Sequence, residues 1–306
     1  MNFQQLRIVR ETVRQHFNLT EVANVLYTSQ SGVSKHIKDL EDELGVELFV
    51  RKGKRFLGLT EPGKELVQIV ERMLLDAKNI KSLAAQFTQR NEGQLTIATT
   101  HTQARYALPR VVTAFKAIYP KVHLVLLQGS PTEIASLLLD GEANIGVATE
   151  ALSDESELAC FPFYTWEHSV VLPARHDLAA EGELTLEAIG RYPIVTYHAG
   201  FTGRRAIDRG FEAAGVVPDI VMSALDSDVI KTYVRLGLGV GIVASMAFEA
   251  ERDTDLVAVS LRGQIPANTT VIAVRRGQYL RGFAYRFIEL CLPELDEARV
   301  RGASQG

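Results

Sequence analysis

Hydrophobic and polar positions follow two different rhythms along this chain. Near its start they recur at helical spacing. Asn18 and Glu21 stand three apart, as in a capping box, so a helix can begin at about Leu19 with Val22, Ala23 and Leu26 on one face. After the turn Tyr27-Thr28-Ser29, Thr28 or Ser29 can cap a second helix in which Val33, Ile37, Leu40 and Leu44 form an apolar stripe. A separate arc of that helix carries Gln30, Ser31, Ser34, Lys35 and Lys38, side chains able to hydrogen-bond base edges or neutralise phosphates. Two short amphipathic helices about a tight turn have the layout of a DNA-reading helix-turn-helix, with Tyr27, Thr28 and Ser29 on the same contact surface. A pair of surface helices with ordinary polar decoration would show the same periodicity.

The next segment favours the first reading. Val46-Glu47-Leu48-Phe49-Val50 leads into Arg51, Lys52, Gly53, Lys54 and Arg55, an apolar run that turns through glycine inside four cations. This reads as the wing of a winged helix-turn-helix, placed to lie along phosphates or the minor groove. Beyond Pro62, which suits a first helical turn, Leu66, Val70, Met73, Ala77, Ile80, Ala84 and Phe87 recur at alternating steps of four and three. That seam predicts a long helix that pairs with its copy or packs on the DNA-binding module. The polar stretch Thr88 to Gly93 reads as a linker.

From Gly93 the rhythm changes to short apolar runs separated by helical patterns. QLTIATT, VHLVLLQG and ANIGVAT predict buried strands, with helices near Gln103 to Ile118 and Thr132 to Leu139. A second set follows in HSVVLP, YPIVTY, DIVMSAL and VGIVASM, with helices near Thr202 to Ala214 and Asp226 to Leu236. The strand TTVIAVRR and a helix from about Tyr279 to Leu292 return to the first lobe. Two α/β lobes with two crossovers form a cleft at their strand ends, the usual place for a ligand. The expected fold is α+β overall: a winged helix-turn-helix over residues 1–60, a linker helix over 61–92, and a two-lobed α/β effector domain over 93–306. Within it, lobe I takes about 93–162 and 267–306, and lobe II about 163–266.

Composition adds limits. The net charge is −4, with 33 Lys and Arg against 37 Asp and Glu. Residues 1–90 nevertheless carry 14 basic against 11 acidic side chains, a net of +3. Any affinity for double-stranded DNA is therefore local, and one copy should bind weakly, which predicts a homo-oligomer. No leader pattern or membrane-length apolar run is present, so a cytoplasmic protein without membrane contact is expected. Cys160 and Cys291 lack metal-ligand spacing and read as structural free thiols. Enzyme signals are poor. Gly237-x-Gly239-x-Gly241 precedes a strand instead of following one, so it reads as a helix C-cap and tight turn, and His101 alone among the histidines stands in a suspect loop. No metal or cofactor is expected.

Thr100, Thr102 and Gln103 lie where the strand QLTIATT hands over to a helix, and Thr202 opens a helix after the strand PIVTY. Helix N-termini offer unpaired N–H groups, so hydroxyl and amide side chains there can hold a sulfate-sized oxyanion. The same threonines could equally be helix caps.

The whole arrangement resembles the LysR-type transcriptional regulators over essentially the full chain. The motifs Thr99-Thr100-His101-Thr102-Gln103-Ala104-Arg105-Tyr106-Ala107-Leu108-Pro109, Gln128-Gly129-Ser130-Pro131-Thr132, Gly200-Phe201-Thr202-Gly203-Arg204 and Asp228-Val229-Ile230-Lys231-Thr232-Tyr233-Val234 are similar to those of the CysB/Cbl branch, the regulators of sulfur assimilation. The resemblance implies a dimer or tetramer that acts with RNA polymerase at promoters for sulfate reduction, cysteine synthesis or alkanesulfonate use. It also implies an effector in the interlobe cleft: sulfate, thiosulfate, acetylserine or adenosine 5′-phosphosulfate. By the same resemblance Thr100, Thr102, Gln103, Thr149 and Thr202 line the anion pocket, with Trp166 close to it. A solute-binding protein without a DNA role would have no use for residues 18–55, and an enzyme with a DNA-binding appendage lacks a catalytic set.

Overall fold

In the computed structural model the described residues are all of 1–306 except Lys54, Gly182, Thr202 and Gly306, with the side chains of Glu150, Ala151 and Gln305 also left aside. The chain divides into two compact units, Met1–Ala85 and Gln86–Gly306.

The first unit opens with α1 (Phe3–Arg14), which the spacing of the sequence did not announce. Asn2 and Gln5 form a reciprocal capping box at its start. Next come α2 (Leu19–Val25), whose N-cap Asn18 accepts from the Thr20 and Glu21 amides, and α3 (Gln30–Leu44), capped by Ser29 and ended by Gly45 at φ 70°. Val33, Ile37 and Leu40 are buried as the stripe requires, but Leu44 lies 39% exposed, because α3 stops there and its last turn leaves the core. Antiparallel β1 (Phe49–Lys52) and β2 (Arg55–Leu59) form the wing. Then α4 (Glu61–Thr88) runs as one helix of 28 residues.

The seam on α4 is divided. Leu66, Val70 and Met73 pack into the apolar core of the first unit with Leu6, Ile8, Val33, Ile37 and Phe49. Ile80 and Phe87 are 68% and 81% exposed. The half that includes Val70 is therefore committed inside the unit, and the uncovered half is the part available to a partner.

The second unit contains two five-stranded sheets among the described residues. The chain passes through β3 (Gly93–Thr99), a π-helical turn at Gln103–Ala107, α5 (Leu108–Ile118), β4 (Val122–Gln128), α6 (Pro131–Leu139), β5 (Ile145–Thr149) and β6 (Leu158–Trp166). It crosses to β7 (His168–Pro173), α7 (Leu186–Ile189), β8 (Ile194–Tyr197), α8 (Arg204–Ala213), β9 (Ile220–Ala224), α9 (Ser227–Arg235), β10 (Val240–Ala244) and β11 (Leu256–Ser260). It then returns by β12 (Asn268–Arg275), α10 (Gly282–Cys291) and α11 (Glu297–Gln305).

The first sheet has the order β4-β3-β5-β12-β6 and the second β11-β7-β10-β8-β9. β3, β4 and β5 run parallel, as do β8, β9 and β10; β12, β6, β7 and β11 pair antiparallel. The expected βαβ reading is thus correct for the parallel strands only. The crossover also lies later than the expected 162/163, because β6 stays paired with β12, across a register shift between Thr270 and Val271, as far as Asn268 opposite Trp166. Each lobe has its own core, Val170 to Ile265 around Tyr197 in one, and Leu95 to Val300 around Phe115 and Phe287 in the other.

Gly237 has φ 78° just past the end of α9, and a Cβ at Gly239 would stand 2.2 Å from the Pro193 carbonyl oxygen, so the glycine run is a cap and a close turn. Both cysteines are free, and burial pushes the Cys291 thiol up to about 12. No described helix is long and apolar enough to cross a membrane.

Candidate functional site

The first candidate surface is on α3 and the wing. Tyr27 is 98% exposed, with φ 51° in the turn between α2 and α3, and Thr28, Ser29, Gln30, Ser31, Lys35 and Lys38 are all exposed. Ser34 is half-buried on the flank of the same helix. Ser29 has a structural task as well, since its hydroxyl accepts from the Gly32 amide at 3.1 Å. In the wing, Lys52 and Arg55 are exposed, and Lys54 lies outside the described residues. Arg51 differs from them: its guanidinium pairs with Glu41 and lies 4.9 Å from the centre of the Phe56 ring. Glu41, 7% exposed, also accepts from the Leu48 amide at 2.8 Å and the Phe49 amide at 3.3 Å. Glu41 is thus the residue that joins α3 to the wing.

The second candidate site is the cleft between the lobes. Some of its polar groups follow the C-terminal ends of the parallel strands β3 and β5. β3 hands over through Thr100, His101 and Thr102 to the π-turn. Thr100 is 2% and Thr102 0% exposed, yet neither hydroxyl has a hydrogen-bond partner among the described residues. Thr102 occupies the N-cap position of the π-turn without capping it. The helix-cap alternative therefore does not account for Thr102. Its hydroxyl lies near the Tyr197 phenol of the other lobe, close enough to favour the phenolate slightly but without hydrogen-bond geometry.

Gln103, 1% exposed, is largely engaged already: Tyr164 donates to its Oε1, and its Nε2 donates to Thr270 Oγ1 at 3.1 Å, which leaves one N–H. The Trp166 indole donates to the same Thr270 oxygen at 3.0 Å. Trp166 also touches the second lobe. Gly203, at φ 70°, sits so close that a Cβ there would stand 2.8 Å from the Trp166 ring and 2.9 Å from the His168 imidazole. Thr202, next to it, lies outside the described residues.

The cleft also holds a cavity of about 430 Å³, whose lining includes Thr149 but not Thr100, Thr102, Gln103 or Trp166. Pro131, Thr132, Thr149 and Asn268 line it from the first lobe and Gly200, Phe201, Arg204, Arg205 and Arg209 from the second. Asn268, 2% exposed, has an Nδ2 without a partner among the described residues. Arg204 is engaged by Asp208 at 2.7 Å and by the Tyr197 carbonyl at 2.6 Å, while Arg205 and Arg209 are exposed. The cleft thus joins buried neutral donors to a basic rim. Sequence reasoning expected an anion held by hydroxyls and amides alone. It missed Asn268, which carries no local signal, and the arginines of α8, whose spacing on one short helix behind a glycine-rich turn was the available clue.

Tyr197 itself is fully buried, shares a 2.6 Å hydrogen bond with Ser227 and accepts from the Ala244 amide at 2.9 Å; burial pushes its phenol up to about 12.

Comparison with known proteins accords with this architecture. Residues 3–64 match the bacterial regulatory helix-turn-helix protein family of lysR type, and residues 88–296 match the LysR substrate binding domain. The chain is 58% identical to the HTH-type transcriptional regulator SsuR of Burkholderia cenocepacia, over 99% of this chain and 98% of that one. It is 54% identical to the HTH-type transcriptional regulator cbl of Escherichia coli K12, over 95% and 92% respectively, and 48% identical to CysB of Burkholderia cenocepacia, over 100% and 98%. Among solved structures, the cofactor-binding domain of the Cbl transcriptional regulator has a TM-score of 0.67 at 47% identity, covering 70% of this chain and 95% of that one. Full-length CbnR complexed with its target DNA, at 19% identity and a TM-score of 0.58, covers 95% and 99% and shares the fold. These are regulators and not enzymes, and the second unit is of the kind that takes a small-molecule effector. The chain belongs to the LysR family of transcriptional regulators, in the branch that holds SsuR, Cbl and CysB.

Proposed function

We propose that this regulator controls genes of sulfur assimilation in the cytoplasm, binding promoter DNA as a dimer or tetramer and acting with RNA polymerase. Its effector, in this reading, is a sulfur oxyanion such as sulfate or thiosulfate, adenosine 5′-phosphosulfate, or acetylserine, bound in the interlobe cleft. Residues 1–60 would read DNA, 61–92 join the copies, and 93–306 sense the effector. The reading rests on kinship with SsuR, Cbl and CysB together with one structural observation: the Thr100 and Thr102 hydroxyls are buried without partners among the described residues at the end of β3. A buried hydroxyl lacking a hydrogen bond costs about 1–3 kcal/mol. Such a cost is expected where a ligand supplies the missing partner, as at functional sites generally. Thr149, the remaining N–H of Gln103, Thr202 and Asn268 would complete the grip. Arg205 and Arg209 would draw the anion in, and Trp166 would report its arrival.

Calorimetry with each of the four ligands, on wild type and Thr102→Ala, tests the site. The alanine variant should lose affinity about tenfold or more while its gel shift with a sulfur-assimilation promoter is unchanged. Equal affinities in the two proteins would place the effector elsewhere.

A further inference from the structure

The π-turn that presents Thr102 and Gln103 also carries Arg105 and Tyr106, and these reach the other lobe. Arg105 Nε lies 2.6 Å from Asp228 Oδ2, and the Tyr106 hydroxyl donates to Asp228 Oδ1 at 2.9 Å. Arg105 Nε also donates to the Tyr106 oxygen at 3.2 Å, so the three side chains form a closed triangle. Asp228 stands in the first turn of α9, beside Lys231 at 3.5 Å. Lys231 is 3% exposed and fixed in turn by Asp253 at 2.8 Å and the Ala247 carbonyl at 2.7 Å. The second lobe thus offers a rigidly backed carboxylate, and the first lobe meets it with residues that closely follow the proposed effector contacts. Neither Arg105, Tyr106 and Asp228 nor Thr100, Thr102 and Gln103 are among the residues that line the 430 Å³ cavity, to which the first lobe contributes Thr149 and Asn268.

A π-helical turn is rare and is found mostly at functional sites, because its widened hydrogen-bond pattern displaces the side chains it carries. Here the displacement aims neighbouring residues at two targets, the cleft for Thr102 and Gln103 and the opposite lobe for Arg105 and Tyr106. We propose that Arg105, Tyr106 and Asp228 form a latch that holds the lobes closed over the effector, which makes them positioning residues for a ligand they do not touch. The proposal deepens the reading that an anion binds in this cleft. Its energetic basis is simple. If only the closed state binds well, apparent affinity scales with the closed fraction, and removing charge-assisted bonds that exist only in that state lowers the fraction. Because Thr102 stands at the head of the turn that carries Arg105 and Tyr106, an effector held by Thr102 and the contact with Asp228 favour one another, and the coupling is reciprocal.

Trp166 allows closure to be read apart from ligand binding. It is the only tryptophan, 5% exposed, and its ring is covered by Gly203 of the second lobe. In the full-length protein without effector, Tyr106→Phe and Asp228→Asn should raise acrylamide quenching of Trp166 about twofold. Affinity for sulfate or thiosulfate should fall about tenfold, and the double variant should be no worse than the worse single one, because each substitution breaks the same triangle. Thr102→Ala should instead lose affinity with quenching at the wild-type level. Wild-type quenching in a folded Asp228→Asn protein would overturn the latch, whatever the ligand data show. Raised quenching in a protein whose wild type binds none of these anions would keep the latch and remove the anion reading. Should Asp228→Asn fail to fold, Arg105→Gln combined with Tyr106→Phe, which weakens both contacts of the first lobe with Asp228, decides the matter instead.

Discussion

The buried carboxylate of Glu41 and the guanidinium of Arg51 tie the end of α3 to the first strand of the wing. The same carboxylate takes the Leu48 and Phe49 amides, so one side chain satisfies the backbone just where the chain enters β1. Glu41→Ala would leave both amides buried without an acceptor, a destabilisation of about 2–3 kcal/mol. Hydrogen exchange in the full-length protein should show the β1 and β2 amides deprotected first. Unchanged protection there would mean that the wing is held by its apolar contacts alone.

The four wing cations should not be equivalent. Lys52 and Arg55 are exposed, whereas Arg51 is partly neutralised by Glu41. Removing a cation that neutralises one phosphate should reduce the salt slope of DNA binding by about one. Lys52→Ala and Arg55→Ala should each show that reduction; Arg51→Ala should show less of it and instead lower wing stability. Equal slopes for all three would count against the division. Gln30→Ala should alter site preference instead, since Gln30 stands exposed at the start of α3 where base edges would be met.

The divided seam of α4 predicts two different failures. Val70 is 1% exposed in the core of the first unit, so Val70→Asp should unfold that unit, by about 3 kcal/mol or more, and abolish DNA binding for that reason. Ile80, 68% exposed, should tolerate glutamate within the monomer. If the uncovered half pairs with a second copy, Ile80→Glu should lower the mass seen by analytical ultracentrifugation while circular dichroism stays native. An unchanged mass would assign the pairing to another surface.

Tyr197 predicts an alkaline limit for the second lobe. Burial raises its folded pKa to about 12, against an ordinary value of 10.0. The unfolded state releases the proton first, so between pH 10 and 12 the folded state holds more protons, and its stability falls as pH rises. Tyr197→Phe should be less stable at neutral pH by about 1–2 kcal/mol, having left Ser227 and the Ala244 amide without the phenol. Its stability should decline less steeply across the alkaline window. Thermal melts at a series of pH values would show the two curves converging; parallel curves would exclude this phenol as the titrating group.

Legibility in the sequence followed the range of the interactions. Periodicity sufficed for α2, α3 and the parallel strands, because their burial patterns are local: Val33, Ile37 and Leu40 step along one face, and β5 is buried throughout. It failed where a partner distant in sequence decides the outcome. β6 reads as an irregular aromatic run, LACFPFYTW, and becomes a strand only by pairing with β12, which follows roughly a hundred residues later. Asn268 enters the cleft by that same pairing. Gln103 looked like a free ligand contact from its position, and nothing nearby shows that Tyr164 and Thr270 already hold both ends of its amide. The threonines do follow the end of β3 as expected, but whether a hydroxyl caps a helix or stays unpaired depends on the turn that follows, and a π-turn has no sequence signature comparable to a capping box.

Gly203 has a consequence for how this regulator can vary. A single methyl group at this position would have to share space with the Trp166 and His168 rings, and the backbone at φ 70° already disfavours any side chain. Of the two, His168 belongs to the same lobe as Gly203 and Trp166 to the opposing one, so the added carbon would press on its own lobe and on the facing one together. The glycine therefore acts as a spacer of zero thickness, and it fixes how near the jaws can come. If the cleft is the effector site, substitutions elsewhere in it should change which molecule is held, whereas Gly203→Ala should weaken binding of every candidate ligand alike, which calorimetry on that variant would show.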